Sequence, residues 1–383
     1  MPLHFSDATF ERRRRAVLET MAEARLDGML LFKQESLFWL TGYDTFGFCF
    51  FQCLVLTRRG DLALLTRAPD LRQAQHTSLI DNIRIWVDRA GASPCHDLVD
   101  LAGELGLTGA RLGVEFDCHG LTALNGFRLR DAFIDRAELV DASRLVAGLR
   151  MVKDEEERTY VRRAGVLADA ALEAAIERSR AGADESDILA AMQASVFKGG
   201  GDYPGNAFII GSGRGALLCR YFSGRRTLDA QDQLTLEFAG AYRHYHAAMM
   251  RTLIIGKPDK RHERMFDACH EALASAEAKL RPGETMGSVY QAQADTLDRH
   301  GMRAHRLNAC GYSLGAMFGP SWMDDPMFYQ DNPEPIREGM VLFVHIILMD
   351  SNNQRAMTLG RTSIIASDGP EALSKAPLEL IVC

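Results

Sequence analysis

The run Leu234 to Thr252, LTLEFAGAYRHYHAAMMRT, carries a carboxylate and two histidines in a pattern of alternating side chains. Successive side chains of an extended strand point to opposite faces, so Leu234, Leu236 and Phe238 share one face while Thr235 and Glu237 share the other. By the same rule His244, His246, Ala248 and Met250 lie on one face of a following strand. If the two runs pair as a hairpin, Glu237 can face the histidine-bearing side. A carboxylate beside a histidine offers a nucleophile or general base together with a proton carrier. The plainer alternative is a salt-bridged glutamate and a hydrogen-bonded strand histidine. Histidines at i, i+2 can also suit zinc, but without a carboxylate or cysteine close by in the chain they make a poor ligand set.

Other residues of chemical interest lie further along. In HRLNACGYSLG, His305 to Gly315, glycines flank Tyr312-Ser313-Leu314, so the backbone can approach a ligand closely and Tyr312 can present a phenol that donates or accepts a hydrogen bond. A plain turn in a strand is the alternative. Trp322, Asp324 and Asp325 follow Gly319-Pro320 in an expected loop, where an aromatic ring with acids suits a cationic or zwitterionic ligand. His345 interrupts VLFVHIILM, a strand apolar enough to be buried, and a buried histidine must find hydrogen-bond partners and shift its pKa. The Arg220-Tyr221 pair can bind a carboxylate or pair on the surface.

The elements that must position these residues read as two domains. Residues 1–148 alternate helical and strand signals: a helix from about Asp7 to Leu26, strands at Gly28–Phe32, Cys49–Leu56, Leu62–Leu65, Arg84–Val87 and Arg111–Glu115, and helices at Asp97–Leu105 and Leu124–Phe133. This pattern predicts a sheet flanked by helices. At Leu149 to Glu157 the composition shifts, and the acidic run Asp154 to Glu157 complements the dipole of a long helix that it opens. Residues 149–383 then predict a helix over Ser186–Phe197, strands at Ala207–Gly211, Gln233–Ala239, Tyr245–Ile255, Met340–Met349 and Thr358–Ile365, and helices over His262–Leu280 and Gly287–His300. Helices segregated from runs of strands indicate an α+β domain.

Composition narrows the functional classes. The 383 residues are 47% hydrophobic and 25% charged, as in a globular protein. A net charge of −7 gives no global attraction to nucleic acid or anionic lipid. The longest apolar run, Phe46 to Leu56, is shorter than the roughly 20 residues that span a bilayer. No secretory leader is apparent, so a cytoplasmic protein without membrane or nucleic-acid partners is expected. The eight cysteines form no CxxC pair, which predicts reduced thiols rather than a disulfide framework or zinc ribbon.

Together these stretches resemble the creatinase/aminopeptidase P/prolidase superfamily over nearly the whole chain. SLFWLTGYDTFGFCFFQCLVL is similar to its N-terminal strand pair and LRMVKDEEER to the start of its catalytic domain; GYSLG stands where the family has glycine-histidine-glycine. NPEPIREGMVLFVHI and TLGRTSIIASDG correspond to the segments carrying its two glutamate ligands. The resemblance implies a pita-bread catalytic domain behind a creatinase-type N-terminal domain. It also implies that the five family metal positions fall at Glu237, Ala248, Tyr312, His345 and Gly360, replacing two aspartates, one histidine and two glutamates. No family ligand is retained in kind, so no metal or other cofactor is expected. Creatinase itself fits poorly, since its catalytic histidine falls at Arg220 and its active-site glutamates at Met250 and His345.

Ectoine hydrolase is the closer resemblance, through WLTGYD, FQC, Tyr245-His246, Arg251-Thr252 and GYSLG to PSW. It implies a metal-independent hydrolase of a C–N bond in a small polar nitrogen compound, such as a cyclic amidine, an N-acyl amino acid or a guanidino acid. Glu237, His246, His345 and Tyr312 would be catalytic, with Arg220, Tyr221, His244, Tyr245, Arg251, Trp322 and Asp324 binding substrate. A homodimer is implied too, in which the loop Asp44 to Phe48, with Phe46 and Phe48, reaches the partner's pocket. Rival expectations are an Xaa-Pro dipeptidase-like enzyme, with one metal on His244, His246 and His345, and a non-catalytic binding protein on a degenerate peptidase scaffold.

Overall fold

Short runs of Leu, Val and Ile build the sheet of the first unit, and an acid-capped helix opens the second. The computed structural model describes residues 3–220 and 224–383, and the chain divides into the units Met1–Arg150 and Met151–Cys383. In the first, strands β1 (Gly28–Leu31), β2 (Cys53–Thr57), β3 (Leu62–Arg67), β4 (Asn82–Trp86), β5 (Arg111–Val114) and β6 (Glu138–Asp141) form one sheet in the order β4-β3-β2-β1-β5-β6. Helices α1 (Asp7–Glu23), α2 (Gln34–Thr41), α3 (Leu71–Thr77), α4 (Pro94–Glu104), α5 (Ala123–Phe133) and α6 (Ser143–Arg150) complete the unit. The sequence reading lacks α2 because its polar residues Gln34, Glu35 and Ser36 are bunched ahead of the unbroken apolar run Leu37 to Leu40, so no helical period shows in its eight residues. The strand expected from Cys49 starts later, at Cys53, since Gly47–Cys49 forms a 3-10 turn.

In the second unit α7 (Glu155–Arg178) begins with a capping box. Asp154 accepts from the Glu157 backbone N–H, and Glu157 reaches back to the Asp154 N–H. After α8 (Glu185–Lys198) come β7 (Ile209–Ser212), β8 (Asp232–Tyr242), β9 (Tyr245–Ile255), α9 (Lys260–Glu277), α10 (Met286–Arg299), β10 (Ala309–Ser313), β11 (Asp324–Tyr329), β12 (Val341–Asp350), β13 (Arg355–Ala366), β14 (Gly369–Ala372) and β15 (Ile381–Val382). The sheet runs β11-β10-β12-β13-β9-β8-β7, with β14 on β13 and β15 on β9. Trp322 precedes β11 and Asp324 begins it, so the expected loop is in part a strand.

One face of this sheet meets the helices. Leu342, Val344, Ile346 and Leu348 of β12, with Met357 and Leu359 of β13, pack against Met265, Leu273, Val289 and Leu297 of α9 and α10. Burial of side chains of this size stabilises by about 1.5–3 kcal/mol each relative to exposure. Arg361, also on this face, is paired with Glu277 of α9 at 2.7 and 2.8 Å. The opposite face carries the polar residues that the sequence singled out.

Candidate active site

Antiparallel register sets the site. Glu237 of β8 pairs with Met250 of β9, Met250 with Gly360 of β13, and Gly360 with His345 of β12. Directly paired residues project to the same face of a sheet. The register therefore brings Glu237 and His345 onto one face, in one row of four strands. Gly360 allows β13 and β12 a close approach: a Cβ there would meet Val344 O at 2.8 Å and the Cα and Cβ of His345 at 2.9 Å. Two residues along the strands, Thr235, Thr252 and Thr358 form a hydroxyl ladder at 3.2 and 3.1 Å on this same side. The sequence reading puts Thr235 on the Glu237 face but misses the ladder that it forms with Thr252 and Thr358, although their alternation with Met250 and Gly360 was available as a signal.

Tyr312 joins the row from β10. It pairs with Phe343, which shares a face with His345, and its hydroxyl donates to Glu237 Oε1 at 3.2 Å. The indole Nε1–H of Trp322 in turn donates to the Tyr312 oxygen at 2.9 Å. Burial pushes the Glu237 carboxyl up to about 7, against the Tyr312 hydrogen bond and the charge of Arg220, both of which favour ionisation. Burial, with the Glu237 charge, holds the Tyr312 phenol well above its ordinary value, so it remains a donor. The arrangement is a carboxylate able to gain and lose a proton near neutrality, beside a permanently protonated phenol.

Arg220 lies on the exposed segment after the 3-10 turn Gly213–Leu217, with its charge felt by Glu237, Tyr312 and His345 alike. It makes no hydrogen bond within 3.5 Å among the described residues. Cys219 beside it is another residue the sequence reading missed; burial first, and then Glu237, raise its thiol above the ordinary value. His345 is 8% exposed, and its Nδ1 has no hydrogen-bond partner among the described residues. Burial lowers its pKa to about 4, so the ring is neutral, flanked by Tyr312 at 5.7 Å and Phe343 at 5.3 Å between ring centroids.

Several expected site residues lie elsewhere. His244 is not on the strand face of His246, because it sits with Arg243 in the two-residue hairpin turn, both at positive φ (49° and 65°). Its ring stacks on Phe318 at 4.2 Å. His246 does share the face of Glu237 but lies four residues along β9 from Met250, about 13 Å of strand. Both of its nitrogens are committed to backbone, Nε2 accepting from Gly205 N–H at 2.8 Å and Nδ1 facing Gly315 O at 3.3 Å. That leaves no free site on the ring for proton transfer. Tyr245 projects to the helix side, where its hydroxyl donates to Glu157 at 2.7 Å.

Arg251 pairs with Leu236 and Leu359 on the helix side, away from Glu237. Its guanidinium donates to the carbonyls of Met250 and Gly360, and burial lowers its pKa to about 10. Trp322 is 1% exposed and bonds to Tyr312 rather than standing open to a cationic ligand. Asp324 and the buried Lys153 both approach Gly315, where a Cβ would meet Lys153 Nζ at 3.4 Å and Asp324 Oδ2 at 3.7 Å. In the first unit Phe46 is 79% exposed, whereas Phe48 is buried. Tyr221 lies outside the described residues.

The buried histidines have a consequence for stability. Burial holds His246, like His345, at about 4 in the fold, below the ordinary value of about 6.5. Their contribution is complete above pH 6.5, where both states are neutral, and is lost as pH falls toward 4 because only the unfolded chain takes up the protons. Between pH 7.5 and 5 the histidines lower the melting temperature while the buried Glu237 and Glu115 carboxyls, both raised to about 7, act in the opposite sense. The effect is therefore read as a difference: on acidification His246→Gln is expected to lose less melting temperature, or gain more, than the parent. Equal pH dependence in parent and variant would count against a buried neutral His246.

Comparison with known proteins gives two family matches. Residues 159–365 match metallopeptidase family M24, and residues 13–152 match the creatinase/prolidase N-terminal domain. An uncharacterized hydrolase/peptidase of Sinorhizobium fredii is 26% identical over 393 residues, covering 99% of each chain. The ectoine hydrolase of Halomonas elongata is 24% identical over 396 residues, covering 99% of this chain and 98% of the relative. Among solved structures, the Xaa-Pro dipeptidase of Bacillus anthracis superposes with a TM-score of 0.85 at 20% identity, over 98% of this chain and 100% of that one. Dipeptidase PepE of Mycobacterium ulcerans does so with 0.85 at 23% identity, over 99% of both. These likenesses bear out the two-domain α+β architecture of pita-bread type.

A metallopeptidase family implies a metal, and the residues present do not fit one. Glu237 is the one carboxylate in the row Glu237, Met250, Gly360 and His345, while Ala248 and Gly360 offer no side-chain donor. Tyr312 is held as a phenol. Among the described residues no three His, Cys, Asp or Glu side chains converge in a way that could hold a metal ion, His244, His246 and His345 included.

Proposed function

The chain belongs to metallopeptidase family M24, and from that premise we propose that it is a metal-independent hydrolase of a C–N bond in a small polar nitrogen compound. The observation that carries this reading is Glu237 with its Tyr312 donor, in a row that has exchanged the family's ligands for a neutral imidazole and a glycine. An ectoine hydrolase among the full-length relatives supports a substrate of the cyclic amidine or N-acyl amino acid kind. Two relatives, of Pyrococcus furiosus and Pyrococcus horikoshii, bear the name Xaa-Pro dipeptidase, but a dinuclear metal mechanism has no ligand set among the described residues.

In this reading Glu237 acts as general base. Its carboxylate takes a proton from water, the hydroxyl oxygen bonds to the amide or amidine carbon, and the carbon–heteroatom π pair moves onto the heteroatom. Tyr312 donates a hydrogen bond to that developing negative charge. On collapse the C–N bond breaks, its electron pair stays on nitrogen, and Glu237 returns the proton to the leaving nitrogen. A carboxyl titrating near 7 can do both within one turnover at neutral pH. Direct attack by Glu237 on the carbon is the variant of this mechanism, and hydroxylamine capture of an acyl-enzyme distinguishes it. Arg220, whose charge acts on Glu237, Tyr312 and His345, holds a substrate carboxylate. His345 offers its unpartnered Nδ1 to a substrate polar group as a neutral hydrogen-bonding partner, since an imidazole held at about 4 is a poor proton carrier at pH 7. The enzyme works as a homodimer, with the exposed Phe46 as the contact residue of the Asp44 to Phe48 loop.

The test is hydrolysis by exhaustively chelated protein across a panel of cyclic amidines, N-acyl amino acids and guanidino acids, with an Xaa-Pro dipeptide as the contrasting substrate. Turnover of a non-peptide compound without added metal is expected. Its rate should rise with pH through about 7 as Glu237 ionises. An absolute requirement for manganese, zinc or iron, or turnover of the dipeptide alone, would overturn the proposal.

A further inference from the structure

Trp322 is nearly inaccessible, at 1% exposed, and its indole nitrogen can only donate. Leaving such a buried donor unsatisfied is destabilising, so the indole must find an acceptor. Its acceptor is the Tyr312 oxygen at 2.9 Å, and that same oxygen lies 3.2 Å from Glu237 Oε1. A phenol can rotate its hydrogen to suit either neighbour. With a donor-only group on one side, the phenol must accept from the indole and its own hydrogen turns to the carboxylate. The indole is itself held: the Trp322 backbone N–H donates to Asn206 Oδ1 at 3.1 Å, and the His246 ring lies beside it with centroids 6.3 Å apart. His246 is tied in turn to Gly205 and Gly315. Backbone, His246 and Asn206 therefore form an outer layer around one hydroxyl.

We propose that Trp322 is a positioning residue that keeps the single Tyr312 hydroxyl proton turned away from the indole, toward Glu237 while that group is ionised and toward the reacting group once Glu237 has taken its proton. Substrate contact is no part of its role, and the consequence for rate rests on the hydrolase reading above. The other polar groups around Glu237 do not duplicate it. Arg220 and Cys219 approach from the segment after the 3-10 turn, and His345 lies across the sheet on β12. Arg220 cannot accept a hydrogen bond, and none of the three is bonded to the Tyr312 oxygen in the structure.

The experiment is a cycle of Trp322→Phe, Tyr312→Phe and the double variant. Trp322→Phe is expected to lower kcat about five- to tenfold, the size of one lost hydrogen bond, at little cost in KM. In the Tyr312→Phe background it should cost almost nothing more. A second readout needs no substrate. The chain has three tryptophans, and with nitrogen-15-labelled indole the Trp322 N–H resonance, assigned by its loss in Trp322→Phe, should move in both Tyr312→Phe and Glu237→Gln. If Trp322→Phe fails to fold, benzothienylalanine at 322, with sulfur in place of the N–H, tests the same point with the shape kept. Additive losses in the cycle, a loss confined to KM, or a Trp322 resonance indifferent to Tyr312→Phe would overturn the proposal. Failure to find any hydrolysed compound would count against the hydrolase reading alone, since the resonance test stands apart from turnover.

Discussion

Glu237→Gln is expected to lower the hydrolytic rate by about 10³- to 10⁴-fold while leaving the fold intact, and to stabilise the protein at alkaline pH. The amide has nearly the same shape and its oxygen can still accept from the Tyr312 hydroxyl, so the hydrogen bond at 3.2 Å survives. What it loses is the ability to take up and return a proton, which is the size of effect a general base supplies. The stability arm follows from the raised pKa. Below about pH 4.5 the carboxyl is neutral in both folded and unfolded chains and costs nothing. As pH rises through the interval up to about 7, the unfolded chain ionises while the folded chain does so with difficulty, so stability is lost, fully so above 7. The glutamine variant should therefore match the parent near pH 4.5 and exceed it by about 1–3 kcal/mol at pH 8. Rates within tenfold of the parent would sink the general-base role. Denaturation curves that differ equally at both pH values would sink the electrostatic account.

The second large effect is expected from Gly311→Ala, a change of one methyl group next to Tyr312. Gly311 has φ +136°, a conformation that side chains other than glycine's rarely adopt, and a Cβ there would lie 1.9 Å from the carbonyl oxygen of Phe343. The neighbouring atom is strand backbone, which cannot rotate aside. Backbone strain and overpacking together cost about 3–5 kcal/mol, or roughly 10 °C in melting temperature for a unit of this size. Relief requires β10 to withdraw from β12, which carries the Tyr312 hydroxyl away from Glu237. Protein that remains folded should thus show a rate defect resembling that of Tyr312→Phe. A thermal melt within about 2 °C of the parent would contradict the close approach of these strands.

Much of the framework was legible. The strand Tyr245–Ile255 was read with the bounds it has, because alternation and its β-branched end are local signals. The start of α7 was readable from its acidic first turn, which the Asp154–Glu157 capping box bears out. The fully buried α2 was illegible because its polar and apolar residues fall in blocks, Gln34 to Ser36 and then Leu37 to Leu40, and not at a helical spacing. His244 was misassigned because a strand period was extended across a turn; the Arg243-His244 turn lacks the Asn-Gly or Asp-Gly signal that usually marks one. Trp322 was read as an open aromatic on a loop, since nothing in its neighbourhood announced the phenol it would find on β10.

What the sequence by itself determined is the chemistry available: one carboxylate at 237, a histidine at 345 and a glycine at 360, and the alternation that keeps Glu237 off the face of Leu236 and Phe238. Side-chain alternation is a property of the strand backbone and needs no partner. Only the tertiary structure decided which residues meet. The register across β8, β9, β13 and β12 put Glu237 in line with His345 and left Arg251 and Tyr245 on the other side; it also kept His246 a dozen ångströms away. Pairing of this kind depends on hydrogen bonds and burial between segments far apart in the chain, so no local pattern encodes it. The raised proton affinity of Glu237 likewise comes from the protein packed around it, and a carboxylate in isolation has no such property.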